Sequence, residues 1–263
     1  MIGLFFGEKQ LPKEIIKSLK KKNKKFLIID LTNKNKFKNY KNSYFINIGK
    51  FGKILNLLNE NNCKQVIFAG NIKKPKISSL KLDLKGIYYM PRIMKAFKLG
   101  DAAILKELIK ILYENKIQVL KLNKFNPELT LKKGTFTKVK PSKLDLIDIK
   151  KGIDTLIKTN FYNHVQAAVV RNKKILALEK NTGTQKMLSK IKKSIFKNGF
   201  LIKMPKKKQD LKVDLPTVGY DTVKYCKKVG LKGIVLKSGQ NIVLDKKKII
   251  TFSNKNKMIL HIV

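Results

Sequence analysis

The 263-residue sequence predicts an α/β protein of two domains. An N-terminal Rossmann-like parallel sheet is expected over residues 1–130 and a C-terminal mixed α/β domain over residues 131–263. Three observations support this. Short, fully apolar runs alternate with helix-period stretches through the first half, the pattern of strands covered by helices on both faces. A polar stretch containing Gly and Pro, from about Asn126 to Pro141, interrupts the alternation and reads as a domain junction. Beyond it the pattern changes to a hairpin, a helix and several short strands.

In order, Ile2 to Phe6 reads as a buried strand closed by Gly7. Leu11 and Pro12 open a helix whose apolar stripe is Ile15, Ile16 and Leu19. Phe26 to Leu31 and Tyr44 to Ile48 are the next strands, and Ile54, Leu55 and Leu58 give a second helix its core face. Gln65 to Ala69 is a fourth strand ending at Gly70. A loop holding Pro75 and Pro91 follows, then a long helix capped by Asp101 and carrying Ile104, Leu105, Leu108, Ile109 and Leu112. Ile117 to Leu122 returns as a strand.

In the second half Ser142 is the expected cap of a helix bearing Leu146, Ile149, Ile153 and Leu156. Val165 to Val170 and Ile175 to Glu179 flank Arg171-Asn172-Lys173-Lys174 as a hairpin. Thr182-Gly183-Thr184 starts another helix, with Met187, Leu188 and Ile191 inward. Gly199 to Lys203 is a strand, Thr222 to Val229 a helix and Ile234 to Leu236 a strand. Ile242 to Leu244 and Met258 to Val263 are expected to close the second sheet.

A net charge of +43 invites a nucleic-acid reading. Its make-up argues against one. Of 60 basic residues only Arg92 and Arg171 are arginines, and arginine is what base and phosphate readers use for bidentate contacts. The lysines are scattered through every predicted element, with no stacking aromatics interleaved. They form a solvated field that attracts anionic lipid surfaces and phosphorylated substrates. Cys63 and Cys226 have no CxxC spacing, so buried free thiols are expected rather than a disulfide or a metal-thiolate site. No apolar run approaches the ~18 residues of a membrane span, and Met1 to Glu8 lacks a positive leader. A cytoplasmic protein is expected.

The chemistry-bearing stretch runs from Lys203 to Gly219 and concentrates acids, lysines and two prolines between apolar runs. As an extended strand it places Asp210, Lys212 and Asp214 on one face and Leu211, Val213 and Leu215 on the other. The two carboxylates would then lie roughly 13 Å apart, too far to share one ion. In a helical turn they would lie about 6 Å apart. Pro216 argues against a continuing helix, leaving either two separate carboxylate roles or a solvated edge strand ending in a Pro-Thr-Val-Gly turn.

Gln209-Asp210-Leu211-Lys212-Val213-Asp214-Leu215-Pro216-Thr217-Val218-Gly219, with Pro205-Lys206 before it, resembles the signature of the LpxI family. That family comprises UDP-2,3-diacylglucosamine pyrophosphatases of lipid A synthesis. Further matches are Gly3-Leu4, Gly7 and Leu11-Pro12, then Gly49-Lys50 with Gly52-Lys53-Ile54-Leu55, then Ala69-Gly70-Asn71 with Pro75, and Gly100-Asp101. The resemblance implies hydrolysis of the UDP-sugar diphosphate with Mg²⁺, Asp210 and Asp214 being the metal and catalytic carboxylates. It implies substrate contacts from Gly7, Gly70, Gly100, Asp101, Gln166, Gly183, Thr184, Lys206, Gln209, Lys212 and Thr217. It also implies a homodimer, a site between the domains and peripheral contact with the inner face of the inner membrane. Glycines after strands suit this chemistry, because they let backbone amides approach a phosphate.

The chain departs from the family pattern at four acidic positions, now Ala102, Asn163, Thr182 and Gln185, while Gln166, Glu179, Gly183 and Thr184 survive. Phe6 and Lys9 also stand where smaller residues are expected. His164 and His261 read as packed or surface residues rather than a general base. A non-catalytic UDP-sugar or lipid-binding protein is the alternative reading that the lost acids support.

Overall fold

The computed structural model describes residues 1–72, 77–159, 165–180, 182–206 and 213–263. The chain divides into two compact units, Met1–Asn126 and Pro127–Val263.

The first unit is built on β1 (Ile2–Phe6), β2 (Phe26–Asp30), β3 (Ser43–Phe45), β4 (Gln65–Ala69) and β5 (Gln118–Val119). All pair in parallel, in the order β3-β2-β1-β4-β5. This is the Rossmann order, and the predicted parallel sheet is present. Each β1 residue is buried, as a strand covered on both faces requires. Helix α1 (Leu11–Lys21) turns Ile15, Ile16 and Leu19 inward, and α2 (Phe51–Glu60) does the same with Ile54, Leu55 and Leu58. Strands β3 and β5 are shorter than their apolar runs, and β3 is largely exposed.

Pro91 belongs to a helix, not to the expected loop. Helix α3 (Leu84–Lys98) contains it, and α4 (Asp101–Glu114) follows after Leu99 and Gly100. A proline deletes one rung of the helix ladder, and periodicity with a proline in its middle reads as a break. The arginine after it links α3 to its neighbour. Arg92 donates from Nε to Glu107 and from both terminal nitrogens to Glu114 across the α3–α4 pair, each at 2.7 Å. Asp101 is the first residue of α4 rather than its cap; Gly100 occupies the cap position at φ 99°. The α3 cap is Asp83, whose carboxylate accepts from the Gly86 N–H at 2.8 Å. It also accepts from Gly52 and Lys53, at the start of α2. A four-residue helix, α5 (Leu122–Phe125), takes the place of the end of the last predicted strand.

The second unit carries a six-stranded sheet of order β6-β13-β11-β9-β7-β8. Its members are β6 (Gly134–Thr135), β7 (Ala167–Arg171), β8 (Lys174–Leu178), β9 (Phe200–Lys203), β11 (Gly233–Leu236) and β13 (Ile259–Ile262). The central three, β9, β11 and β13, are parallel, and the flanking pairs are antiparallel. The mixed domain is therefore as expected. The hairpin β7–β8 turns through Asn172 and Lys173, at φ 50° and 61°, the positive pair a type I′ turn demands. The Asp148 carboxylate accepts both of their N–H groups.

Helix α6 (Lys143–Thr159) begins at the reciprocal pair of Ser142 and Asp145. Asp145 N donates to Ser142 Oγ at 3.2 Å, and Ser142 N donates to Asp145 Oδ2 at 2.8 Å. Lys232 closes on the same carboxylate at 2.6 Å. Leu146, expected inward, is 47% exposed, and Asp145 and Asp148 take the buried positions beside Ile149, Gly152 and Leu156.

Two further expectations fail. Strand β12 (Ile242–Val243) does not join the main sheet but pairs with β10 (Thr217–Val218) in a separate two-stranded sheet. The Pro-Thr-Val-Gly segment is accordingly a short strand whose Gly219 caps helix α8 (Tyr220–Lys228), not a turn. Helix α9 (Lys246–Lys255), which the lysine-rich sequence concealed, fills the interval before β13. Helix α7 (Thr184–Ser189) is only six residues long.

Burial works to raise the pKa of Asp145. The Lys232 ammonium and the two Ser142 donors together outweigh it and hold the group below its usual value. A depressed carboxylate stabilises the fold above its unfolded pKa of about 4 and loses that contribution as pH falls through the folded value. Asp145→Asn should therefore cost about 1–2 kcal/mol at pH 7. It should also flatten the fall in stability below about pH 4. Urea titrations from pH 2 to 7 read both effects.

Candidate active site

The first unit offers the crevice where a Rossmann sheet reverses its strand order, beyond the carboxyl ends of β1 and β4. Here the protein fills it with its own backbone. Gly7 N donates to Ala69 O, and Glu8 and Asn71 exchange two N–H···O bonds, all at 2.9 Å. The Glu8 carboxylate also accepts from Asn33 and binds the Lys36 ammonium. Gly7 and Gly70 serve this close approach. A Cβ on Gly7 would lie 2.6 Å from the Asn71 carbonyl, and one on Gly70, at φ 88°, 2.6 Å from Glu8 O. Lys9 in the same loop adopts φ 81°, a region favoured by glycine. At the end of β2, where dinucleotide-binding sheets present an acid to ribose, Asp30 is fully buried and accepts from Thr32 N and Phe37 N. It staples its own loop.

Gly100 and Asp101 begin α4, where Asp101 is exposed and its charge complements the helix N-terminus. Ala102 is exposed beside it.

In the second unit two of the predicted residues meet: Gly183 and Thr184 join a buried polar knot with Glu179 and Lys203. Gln166, one residue before Ala167 and level with Met204, falls on the other face of the sheet. The row is set by strand pairing: Ala167 faces Lys203 on β9, and Glu179 N donates to Ala167 O at 2.8 Å. Alanine between them is small enough for the flanking acid and base to reach across. Thr184 Oγ1 donates to Glu179 Oε1 at 2.7 Å and accepts from Lys203 Nζ at 2.6 Å. The two charges themselves are 3.9 Å apart, with side chains 8% and 5% exposed. Gly183 places Thr184 by taking φ 88° at the helix start, with open space where a Cβ would stand.

Glu179 Oε2, in this knot, and Gln166 Oε1, on the other face, are buried without a hydrogen-bond partner among the described residues. Buried carboxylate and amide oxygens are normally satisfied, so these two are open acceptor positions. Cys226 lies close enough to feel the Lys203 charge, which opposes the strong upward push of burial on its thiol. That thiol stays protonated and structural, as does buried Cys63.

Lys203 leads directly into the signature stretch. Gln209, Asp210 and Lys212 lie outside the described residues, as does Asn163. Lys206 precedes that segment and Asp214 follows it, exposed. Thr217 sits in β10, its hydroxyl donating to Leu215 O at 3.2 Å. Leu215 and Pro216 are buried, so the described end of the motif is anchored by its apolar side while Asp214 faces solvent. Sequence reasoning missed Lys203 as the buried partner of Glu179 and Thr184. The available signal was a lysine ending an otherwise apolar strand, easily lost in a chain this rich in lysine. Among the described residues no three His, Cys, Asp or Glu side chains gather to hold a metal. Asp214, one solvated carboxylate, is the kind of ligand Mg²⁺ accepts, since that ion retains several waters and binds one or two carboxylates.

Lys203→Met should destabilise the second unit by about 3–5 kcal/mol, because the Glu179 carboxylate loses its counter-charge in the core. Adding Glu179→Leu should recover most of that loss, and chemical denaturation of both variants reads the coupling. Gly70→Ala should cost about 1–3 kcal/mol through its left-handed backbone and the Glu8 carbonyl it would strike, measurable in the same way.

Residues 1–129 match the LpxI N-terminal domain family and residues 132–261 the LpxI C-terminal domain family. The chain is also similar to "UDP-2,3-diacylglucosamine pyrophosphatase LpxI" of Caulobacter vibrioides (strain ATCC 19089 / CIP 103742 / CB 15). The two are 32% identical over 213 residues, which is 78% of this chain and 76% of the relative. With both halves matched in order and the signature stretch lying within the second, this chain belongs to the LpxI family.

Proposed function

We propose that this protein hydrolyses the diphosphate of UDP-2,3-diacylglucosamine to UMP and 2,3-diacylglucosamine 1-phosphate, a step of lipid A synthesis. The observation that carries the reading is the match of both halves of the chain to one family, with a relative of that activity aligned over most of both chains.

Hydrolysis of a diphosphate transfers a phosphoryl group to water: a P–O bond to the water oxygen forms as the bridging P–O bond breaks. The protein must neutralise charge on the phosphoryl oxygens and hold the water in line. Asp210 and Asp214 are the carboxylates proposed to hold Mg²⁺, which supplies that neutralisation. Lys206 and Lys212 add point charges toward the phosphates, and Gln209 and Thr217 hydrogen-bond the sugar or phosphate. The open oxygens of Gln166 and Glu179 can accept from substrate hydroxyls or amides, with Thr184 and Lys203 fixing the Glu179 carboxylate in one orientation. Gly7, Gly70, Gly100 and Asp101 take part in the same reading as the loops of the first unit. The lysine-rich surface supports peripheral attachment to anionic headgroups, and a homodimer belongs to the same proposal. Among the described residues no helix is long and apolar enough to cross a membrane.

The test is UMP release from UDP-2,3-diacylglucosamine with Mg²⁺, comparing the native chain with Asp210→Ala and Asp214→Ala. Native turnover that falls by at least about 100-fold in either variant, and that EDTA abolishes, is expected. Because Ala102, Asn163, Thr182 and Gln185 replace acids, a second outcome has a defined meaning. Lipid-nucleotide binding without turnover would make the protein a UDP-sugar lipid-binding member of the family. Neither binding nor turnover would remove the proposal altogether.

A further inference from the structure

The three helices α2, α3 and α4 of the first unit are rich in apolar side chains, yet α3 and α4 bury few of them. In α3 only Gly86 and Ala96 are buried, and in α4 only Ile111 and Leu112. Between the helices lies a slot of about 110 Å³. Its walls include Phe51, Met90, Ile93, Met94, Ile104 and Leu108, with no charged side chain among the lining residues. Leu82, Leu84, Ile87 and Leu99 stand exposed around the same helices, Leu84 at 86%.

Polar staples fix how these helices stand. Asp83 ties the start of α3 to the first turn of α2, and Arg92 ties α3 to α4 through Glu107 and Glu114. Tyr89 accepts from the Asn115 amide just beyond α4 at 3.1 Å. The spacing is thus held by directional bonds, and the apolar interior between the helices remains accessible. Two methionines in the wall suit a flexible apolar guest, because their side chains adapt to irregular shapes. Over residues 80–100 the only acid is Asp83, while Lys81, Lys85, Lys95 and Lys98 are exposed. An apolar slot beside exposed positive charge complements an anionic amphiphile: a hydrocarbon tail and a phosphorylated head.

We propose that this slot receives the terminal methylenes of one acyl chain of the substrate, and so sets which chain lengths the protein accepts. The inference rests on the UDP-2,3-diacylglucosamine reading above for the identity of the amphiphile. An engineered cavity of ~150 Å³ takes a benzene ring, so the slot here has room for about four carbons, a chain end rather than a whole chain. Each methylene it buries is worth about fourfold in affinity.

The test combines a substrate series with filled-slot variants of the full chain. Met94→Phe, and Leu108→Phe as a second variant, are compared with the native protein on dibutyryl and dimyristoyl forms of the UDP-diacylglucosamine. Thermal melts by circular dichroism select the variant that keeps the native fold. A KM raised at least tenfold for the dimyristoyl substrate, with kcat kept and the dibutyryl KM unchanged, is expected. cis-Parinaric acid fluorescence gives an independent readout: the native chain should bind this free fatty acid at least tenfold more tightly than the filled variant. Unchanged chain-length preference and unchanged parinarate binding in a folded variant would overturn the proposal. A variant that only weakens flotation with phosphatidylglycerol vesicles, leaving both readouts intact, would assign the slot to bilayer lipid and also overturn it. Failure of the native chain to turn over either substrate, with parinarate binding still sensitive to Met94→Phe, would instead sink the hydrolase reading and leave the acyl slot standing.

Discussion

A lysine ammonium and a glutamate carboxylate sealed among apolar side chains set the terms for the second unit. Lys203 and Glu179 share the sheet face that buries Val169, Leu201, Leu188 and Cys226, and removing either charge alone takes away the other's counter-charge. Thr184 reconciles them by giving its proton to the acid and a lone pair to the base. This arrangement ties together the residue after β8, the last residue of β9 and the first residue of α7. Buried ionic groups are poor sources of stability compared with an apolar pair of the same volume. Their value here is positional, since Glu179 is held with one oxygen committed and the other open.

The first unit solves a different problem. A Rossmann sheet brings two loops together where its strand order reverses, and many proteins leave that crevice to a ligand. In this chain Glu8 and Asn71 bridge it, and the acid at the end of β2 is consumed by its own loop. Exposed apolar side chains lie elsewhere in this unit, among them Leu84, Ile87 and Leu99 around α3 and α4. Shared architecture with nucleotide-binding sheets therefore does not by itself identify a site, and the chemistry has to be read from the side chains.

Charge is the loudest feature of the sequence and the least specific feature of the structure. Lysines cover exposed helix faces throughout, while the few acids are spent on definite jobs: Asp83 and Asp145 at helix starts, Asp148 on a hairpin turn, Glu107 and Glu114 on Arg92. In a chain this short of carboxylates nearly every buried one is a fastener. The same scarcity makes an exposed acid such as Asp214 noticeable.

The order of strands and helices, the parallel first sheet, the hairpin and the Ser142 helix start were legible in the sequence because each depends on local rules: apolar runs, 3.6-residue periodicity and capping chemistry. The family signature was legible for the same reason, as an ordered string of residues. Tertiary structure alone decided the rest. Helix α3 continues through Pro91, and Arg92 finds Glu107 and Glu114 on α4, partners 15 and 22 residues away. Strand β12 leaves the main sheet because its edge partner is Thr217–Val218. Lys203, one lysine among dozens, becomes a core residue because β7 sets a small alanine between it and Glu179. Local sequence fixes which residues are apolar and where the chain turns; which distant side chain satisfies a buried charge is settled only when the sheet brings both to the same row.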